Sequence, residues 1–379
     1  MQSDLFRRAK KARYVQMKQP LLSSCGKLAR MGKRSGLMAL LLLGLVAKAN
    51  CQSSSVPGAE WKQLASPEQA GWPAEKLAKI HEYVEEMGST SAMIVQHGVV
   101  VAAWGDVGRR SNLHSCRKSL LNSLIGIAVA EGKINLDDTL AKLGIDDKKP
   151  SLTEVEKQAT VRELLEARSG VYHAAAYETN GMLEQKPPRG SHAPGTFWYY
   201  NNWDFNTLGY IYEQATDTKI FDAFYRGIAQ PIGMQDFRAR DGRYISISES
   251  RFPAYVFDMS ARDFARFALL YLHGGKWDNV QVVPGDWVRA STRPYSDAPS
   301  GGYGYLWWTG DAESGAPQAI SFPKGSFWAE GHLGQYAVVV PSLDLIVVNR
   351  VDENMTKRKV NKREVAQLVR MVLAAAPAN

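Results

Sequence analysis

The sequence holds 379 residues with 46 Lys and Arg against 38 Asp and Glu, a formal charge of +8, and 45% hydrophobic residues. That length and composition exclude disorder as the main state and leave room for one large domain or two ordinary ones. The charge is confined: residues 1–49 carry eleven bases and one acid (+10), so the remaining 35 bases and 37 acids sum to −2, which leaves no basic surface for nucleic acid.

The basic stretch leads into an apolar run of eleven residues, Leu37 to Ala47, and then Ala47-Lys48-Ala49, a small-x-small ending of the kind signal peptidases accept. At 1.5 Å per residue the run covers about half of a hydrocarbon core of roughly 30 Å, so it reads as an export signal and not as a span. Residues 1–49 are expected to be a signal peptide cleaved after about Ala49, with Met17 or Met31 as alternative starts, and the product to be periplasmic or secreted. A lipid on Cys51 is the alternative, although Lys48 and Asn50 fit a lipoprotein site poorly; membrane contact is expected only through such an uncleaved or lipidated N-terminus. Residues 50–60 read as a flexible tail. Of the three cysteines, export removes Cys25 and leaves Cys51 and Cys116, too few for a disulfide scaffold, and no CxxC or HExxH spacing predicts a metal site.

Along the chain, Leu77, Ile80 and Val84 predict a helix over Glu75–Met87. Ala92 to Gln96 and Val99 to Trp104 predict a hairpin turned at His97-Gly98. Ser119 to Glu131 predicts a buried helix ended by Gly132, and Val161 to Arg168 a short helix stopped by Ser169-Gly170. Tyr172 to Gly195 reads as a long loop, Ser260 to His273 as an amphipathic helix closed by Gly274-Gly275. Gln335 to Val340 and Leu345 to Asn349 predict a second hairpin, and Lys359 to Ala375 a final helix. Strands at both ends with helices between predict an α+β domain over 61–375: an antiparallel sheet from about 61–110 and 300–375, and a helical part from about 111–299.

No Gly-x-Ser-x-Gly occurs. Ser-x-x-Lys occurs three times: Ser24-Cys-Gly-Lys27 lies in the leader, Ser321-Phe-Pro-Lys324 has a proline and no helix after it, and only Ser115-Cys116-Arg117-Lys118 opens a long apolar helix. Three residues is nearly one helical turn, so the Lys118 amine can reach the Ser115 hydroxyl, and burial there would leave a neutral amine able to act as its base.

Further on stand Tyr200-Asn201-Asn202 with Leu208-Gly209, and then His332-Leu333-Gly334 before the last hairpin strand. With Ser115-x-x-Lys118, this ordered set resembles the serine β-lactamase and penicillin-binding-protein superfamily, in its class C-like branch with esterases and 6-aminohexanoate-dimer-hydrolase-like amidases. The resemblance spans roughly residues 60 to 375 and implies a β-lactamase-like fold. Tyr199 and Asn201 offer a second register, but Leu208-Gly209 fits Tyr200 and Asn202. His273-Gly-Gly offers another His-x-Gly, but it follows a helix as its cap.

The resemblance implies that Ser115 forms an acyl-enzyme, with Lys118 and Tyr200 sharing the proton. It also implies that Asn202 bonds Lys118 or the substrate, and that the oxyanion is held by the amides of Ser115 and Gln335. His332 and Gly334 belong to the third motif, which the family sets on a sheet-edge strand. No cofactor is implied, and the partner is a small ester or amide. The family's usual Lys-Thr-Gly binds a substrate carboxylate; leucine donates no hydrogen bond and neutral histidine is a poorer anion ligand, so β-lactam recognition is disfavoured unless Arg117 or another cation substitutes. Five tryptophans (Trp198, Trp203, Trp307, Trp308, Trp328) flank the second and third motifs and suggest an apolar pocket with few cations. The expected function is an exported serine hydrolase of carboxylic esters or small linear amides. The alternatives are a β-lactamase or D-Ala carboxypeptidase, and a non-catalytic binding domain of the same fold.

Overall fold

The computed structural model describes residues 56–299, 301–312, 314 and 322–377. The leader, Cys25, Cys51 and Ser321 lie outside the described residues.

Ile80, Val84 and Met87 form one buried stripe on α1 (Ala74–Met87), which ends where Gly88 turns left-handed at φ +73°. β1 (Ser91–Gln96) then folds onto β2 (Val99–Gly105). Both His97 (φ +53°) and Gly98 (φ +71°) are left-handed, the turn form that matches hairpin twist. β3 (Ser111–Asn112) and one 3-10 turn lead into α2 (Arg117–Ala130), which is buried on nearly every side. α3 (Val161–Leu165), α4 (Asn180–Gln185), α5 (Asn202–Thr216), α6 (Ile220–Phe224), β4 (Gly242–Ile245) and β5 (Ala254–Met259) follow. Next come α7 (Ala261–Leu272), β6 (Lys276–Trp277), β7 (Val280–Gln281) and α8 (Gly285–Ser291). The chain returns through β8 (Ser296–Ala298), β9 (Gly301–Tyr303), β10 (Trp308–Thr309), β11 (Phe327–Gly331), β12 (Gln335–Val340) and β13 (Leu345–Arg350), and closes with α9 (Lys362–Ala375).

The main sheet is antiparallel in the order β2-β1-β13-β12-β11-β10-β9-β8, so the N-terminal hairpin meets the C-terminal one where Ile94 lies opposite Val347. Both faces are covered, which is why β12 and β13 read as unbroken apolar runs. Val338, Val340 and Val347 pack with Ile80, Val84, Leu368 and Val372 of α1 and α9. Val339, Ile346 and Val348, one residue out of step, join the helical core with Leu120, Phe264 and Leu269 on the other side. In that core Gly126 is required: a Cβ there would come within 2.2 Å of the Trp287 ring, so α8 can lie against α2 only over a glycine.

The α+β class and the sheet built from both ends are as expected. Local details differ. The helix from Val161 stops at Leu165 because Ala167 turns left-handed at φ +57°. The long loop after Tyr172 contains α4, started by Thr179, whose side chain accepts the Met182 N–H. The helical part holds its own sheet, in the order β3-β5-β4, and the chain rejoins the main sheet at Ser296. The last helix starts at Lys362 because Asn361 caps it, accepting from the Arg363 and Glu364 amides. Strands of two or three residues carry too little alternation to be read from sequence. Among the described residues no helix is long and apolar enough to cross a membrane.

Candidate active site

Ser115 lies in the 3-10 turn His114–Cys116 that feeds α2. Lys118, in the first turn of α2, reaches back so that its Nζ is 2.7 Å from Ser115 Oγ. The amine is buried above the rings of Tyr200 (4.6 Å) and Phe205 (4.9 Å). Burial above all, and then the charge of Arg117, holds Lys118 well below the usual lysine pKa. Desolvation favours the uncharged amine, the form that can take a proton from serine.

The turn is strained. His114 has φ +48°, a conformation that costs a non-glycine residue about 1–3 kcal/mol and persists only when neighbours enforce it. Here the Leu113 N–H donates to the Phe257 carbonyl of β5 (2.9 Å) and the His114 N–H to Asn112 Oδ1 (2.8 Å). The Tyr177 ring stacks on the His114 imidazole at 6.0 Å, and its hydroxyl accepts from Asn112 Nδ2 (2.5 Å) and meets His114 Nδ1 (3.2 Å). Burial, then the neighbouring His332, lowers the His114 pKa to about 4, so this ring is neutral near pH 7. Behind the turn, buried Arg350 donates to Gln335 Oε1 (2.6 Å), the Met259 carbonyl (2.7 Å) and the Ser111 carbonyl (2.9 Å), tying β12 and β5 to the strand that enters the turn.

Tyr200 and Asn202 arrive with α5. Asn201 is the N-cap, its side-chain oxygen accepting the Trp203 N–H (3.1 Å), which leaves Tyr200 just ahead of the helix. Its ring stacks on Trp308 at 5.4 Å and lies 4.6 Å from the Lys118 amine, lining the same cleft as Ser115. Burial raises the phenol pKa, and the nearby Ser115 hydroxyl and Arg117 charge oppose this only in part. Tyr199 is turned away, donating to the Met182 carbonyl (2.6 Å). Asn202 does not bond Lys118: its Nδ2 donates to the Tyr177 carbonyl (2.6 Å), and its Oδ1 is buried without a partner among the described residues.

The third motif is a turn, not a strand. β11 ends at Gly331, β12 starts at Gln335, and Leu333 (φ +65°) and Gly334 (φ +93°) between them are left-handed, which no strand accommodates. Gly331 packs against the Ser115 turn so tightly that a Cβ would lie 2.5 Å from the Leu113 carbonyl oxygen. His332 sits at the rim with its ring edge towards His114 (5.8 Å). Gln335 lies behind the turn, fully buried, its Nε2 donating to the Val351 carbonyl (2.6 Å).

A cleft of about 910 Å³ opens over Ser115. Met182, Phe197, Trp198, Pro299 and Trp308 give its wall an apolar stretch; the 330–334 segment, Lys359 and Lys362 also line it, with Lys362 Nζ 4.5 Å over the Trp308 ring. Two of the five flagged tryptophans, Trp198 and Trp308, thus line it, while Trp203, Trp307 and Trp328 are core. The segment leading into α9 brings two cations to the cleft, Lys359 and Lys362, which share it with Glu330 and Asp297. Arg117 is not one of them: it is buried over the Tyr255 ring (4.5 Å) and donates to Asn206 (3.1 Å). Sequence reasoning missed His114, Tyr177, Arg350 and the two lysines, because each acts through a contact distant in the chain; only His114, beside the nucleophile, carried a positional signal. Among the described residues no cluster of three or more His, Cys, Asp or Glu could hold a metal ion.

A model of the Beta-lactamase family matches residues 78–369. An uncharacterized protein of Alkalihalophilus pseudofirmus is 22% identical over 306 residues, covering 72% of this chain and 86% of its own. Among solved structures, a candidate 6-aminohexanoate-dimer hydrolase from Bacillus anthracis superposes with a TM-score of 0.60 at 18% identity, over 78% of this chain and 81% of its own. A penicillin-binding-protein homologue from Caulobacter crescentus gives 0.57 at 16% identity, over 80% and 99%. At such identities the structural likeness is one of fold.

Proposed function

Because the chain belongs to the Beta-lactamase family, within the β-lactamase and penicillin-binding-protein superfamily of serine hydrolases, we propose that it hydrolyses carboxylic esters or small linear amides through an acyl-enzyme on Ser115. The observation that carries this is the buried Lys118 amine 2.7 Å from Ser115 Oγ. Lys118 takes the Ser115 proton as Oγ attacks the carbonyl carbon, and the oxyanion rests on the amides of Ser115 and Gln335. The tetrahedral intermediate collapses, the leaving alcohol or amine departs with a proton handed on from Lys118 through the Tyr200 hydroxyl, and Ser115 keeps the acyl group. Water then attacks the acyl carbon, giving its proton to Lys118, and the acid leaves as Ser115 regains its hydrogen. Tyr200 serves as a relay and donor, since its raised pKa disfavours a phenolate.

The apolar wall supports an acyl or aryl group as the recognised part of the substrate. A 4-nitrophenyl ester should give a burst of nitrophenolate equal to the enzyme present, and Ser115→Ala should give none; full turnover by Ser115→Ala refutes the proposal. Stoichiometric labelling by a fluorescent penicillin together with nitrocefin turnover would move the protein to the β-lactamase or D-Ala carboxypeptidase reading. Export is part of the proposed setting, resting on the charge and apolar pattern of residues 1–49. Sequencing the N-terminus of protein recovered outside the cytoplasm tests cleavage near Ala49.

A further inference from the structure

Lys362 is the first residue of α9, where the helix dipole opposes a cation. Its side chain is nonetheless only 28% exposed and is committed to two contacts on the cleft side. Its Nζ lies 3.0 Å from Glu330 Oε2 and 4.5 Å over the Trp308 ring. Glu330 is itself held, since the same oxygen accepts the Trp328 indole N–H (3.0 Å) within β11. The sheet carries the contact inward: Trp308 of β10 pairs with Trp328 of β11, and the Trp308 ring stacks on that of Tyr200 at 5.4 Å and 29°. The Tyr200 ring in turn lies 4.6 Å from the Lys118 amine. Two amines, one paired with a carboxylate at the edge of the cleft and one buried beside Ser115, are thus joined by a stack of two rings. Tyr303 and Trp198 meet Trp308 at steep angles (82° and 73°), so they pack beside the stack without extending it.

We propose that Lys362 is a positioning residue for the acid step of acylation: held by Glu330, its ammonium fixes the Trp308 ring, and Trp308 fixes the Tyr200 phenol beside the leaving group. This deepens the hydrolase reading and rests on it. As the tetrahedral intermediate collapses, the bond from the acyl carbon to the leaving oxygen or nitrogen breaks. That atom takes the Tyr200 hydroxyl proton while the phenol oxygen takes a proton from the Lys118 ammonium, so tyrosine is left uncharged. The transfer needs the hydroxyl within hydrogen-bond reach of the leaving atom, and a ring free to tilt loses that alignment before substrate binding is lost. A cation over an indole is attracted to the ring face and so favours one ring orientation. The demand on Tyr200 also depends on the substrate. An alkyl alcohol or an amine has to be protonated as it leaves, whereas 4-nitrophenolate departs as a stable anion. Lys362 therefore bears on turnover of substrates with poor leaving groups far more than on turnover of activated esters.

The test compares two esters of one apolar acid, one releasing 4-nitrophenolate and one releasing a simple alkyl alcohol. Lys362→Met should lower kcat/KM about tenfold on the alkyl ester and about twofold on the nitrophenyl ester, with the alkyl-ester loss falling in kcat and not in KM. Lys362→Arg, which keeps a cation over the ring, should restore the wild-type ratio. Glu330→Gln still accepts the Trp328 N–H but no longer pairs the ammonium; it should shift the ratio in the same direction, and adding Lys362→Met to it should shift it little further. Equal losses on the two esters, no loss on either, or an arginine variant as selective as the methionine one overturns the positioning role and leaves the hydrolase reading intact. Nitrophenyl-ester turnover that survives Ser115→Ala overturns the hydrolase reading, and the positioning role with it.

Discussion

Replacing Lys118 by Met should make the protein more stable and nearly inactive at once. The substitution preserves volume, and the only hydrogen bond Lys118 makes among the described residues is to Ser115 Oγ, which borders the open cleft. Loss of that bond costs about 1 kcal/mol, whereas removing an amine buried between two rings recovers about 1–3 kcal/mol of desolvation. There is a further gain tied to pH. Since the folded-state pKa lies below the usual 10.5, the unfolded chain holds an extra proton between the two values, and raising pH through that window favours the folded wild type. The wild-type penalty is complete below the lowered pKa, amounts to roughly 1.4 kcal/mol for each unit of depression, and is gone above the unfolded value. The variant carries no such penalty at any pH. Denaturant titrations in acidic, neutral and alkaline buffers should therefore show Lys118→Met ahead by about 1–3 kcal/mol near neutrality, with the gap widest in acid and closing as pH rises. The 4-nitrophenyl burst rate should fall by about 10²- to 10⁴-fold. A variant that is less stable than wild type, a gap that widens with pH, or a burst within tenfold of wild type would each refute the reasoning.

Two further substitutions probe how the Ser115 turn is held. Tyr177→Phe removes the hydroxyl shared by Asn112 and His114; it should cost about 1–2 kcal/mol in a denaturant titration and lower kcat about tenfold with little change in KM, because the strained His114 turn shifts while the cleft walls stay. Equal loss in kcat and stability upon Tyr177→Ala alone, with Tyr177→Phe silent, would assign the role to the ring and not the hydroxyl. Arg350→Met strips buried partners from the Met259 and Ser111 carbonyls and from the Gln335 side chain on β12, and should destabilise by about 2–4 kcal/mol, read as a fall in melting temperature of several degrees. The fall should be the same with and without substrate, since Arg350 does not line the cleft.

Much of the molecule is legible in the linear order of residues. The periodicity of Leu77, Ile80 and Val84, the apolar strands at both ends and the punctuation at His97-Gly98 and Gly88 are local signals, and the elements form where they stand. The Ser115–Lys118 contact is legible for the same reason, since a single helical turn sets it. The choice of Tyr200 over Tyr199 at the serine also follows locally, because Asn201 caps α5 and fixes which ring faces forward. The third motif is visible as a string of residues, but its turn is not, for the left-handed Leu333 carries no sequence mark.

Fold class, the order of elements and the Ser115–Lys118 contact can thus be read from the chain, because all of them depend on neighbours within a few residues. The electrical character of the site cannot, and it emerges only when distant segments meet. Lys359 and Lys362 look like solvated charges leading into a helix, and the return of that helix across the sheet is what brings them to the cleft. Arg117, two residues from the nucleophile in sequence, is carried by the helical twist into the core and away from it. The net charge of +8 sits in the first 49 residues, while the charged side chains that border the cleft, Asp297, Glu330, Lys359 and Lys362, balance one another in number. Position in space sets an electrostatic interaction, because it falls off with distance and with solvent screening, and neither quantity is written in the order of the chain.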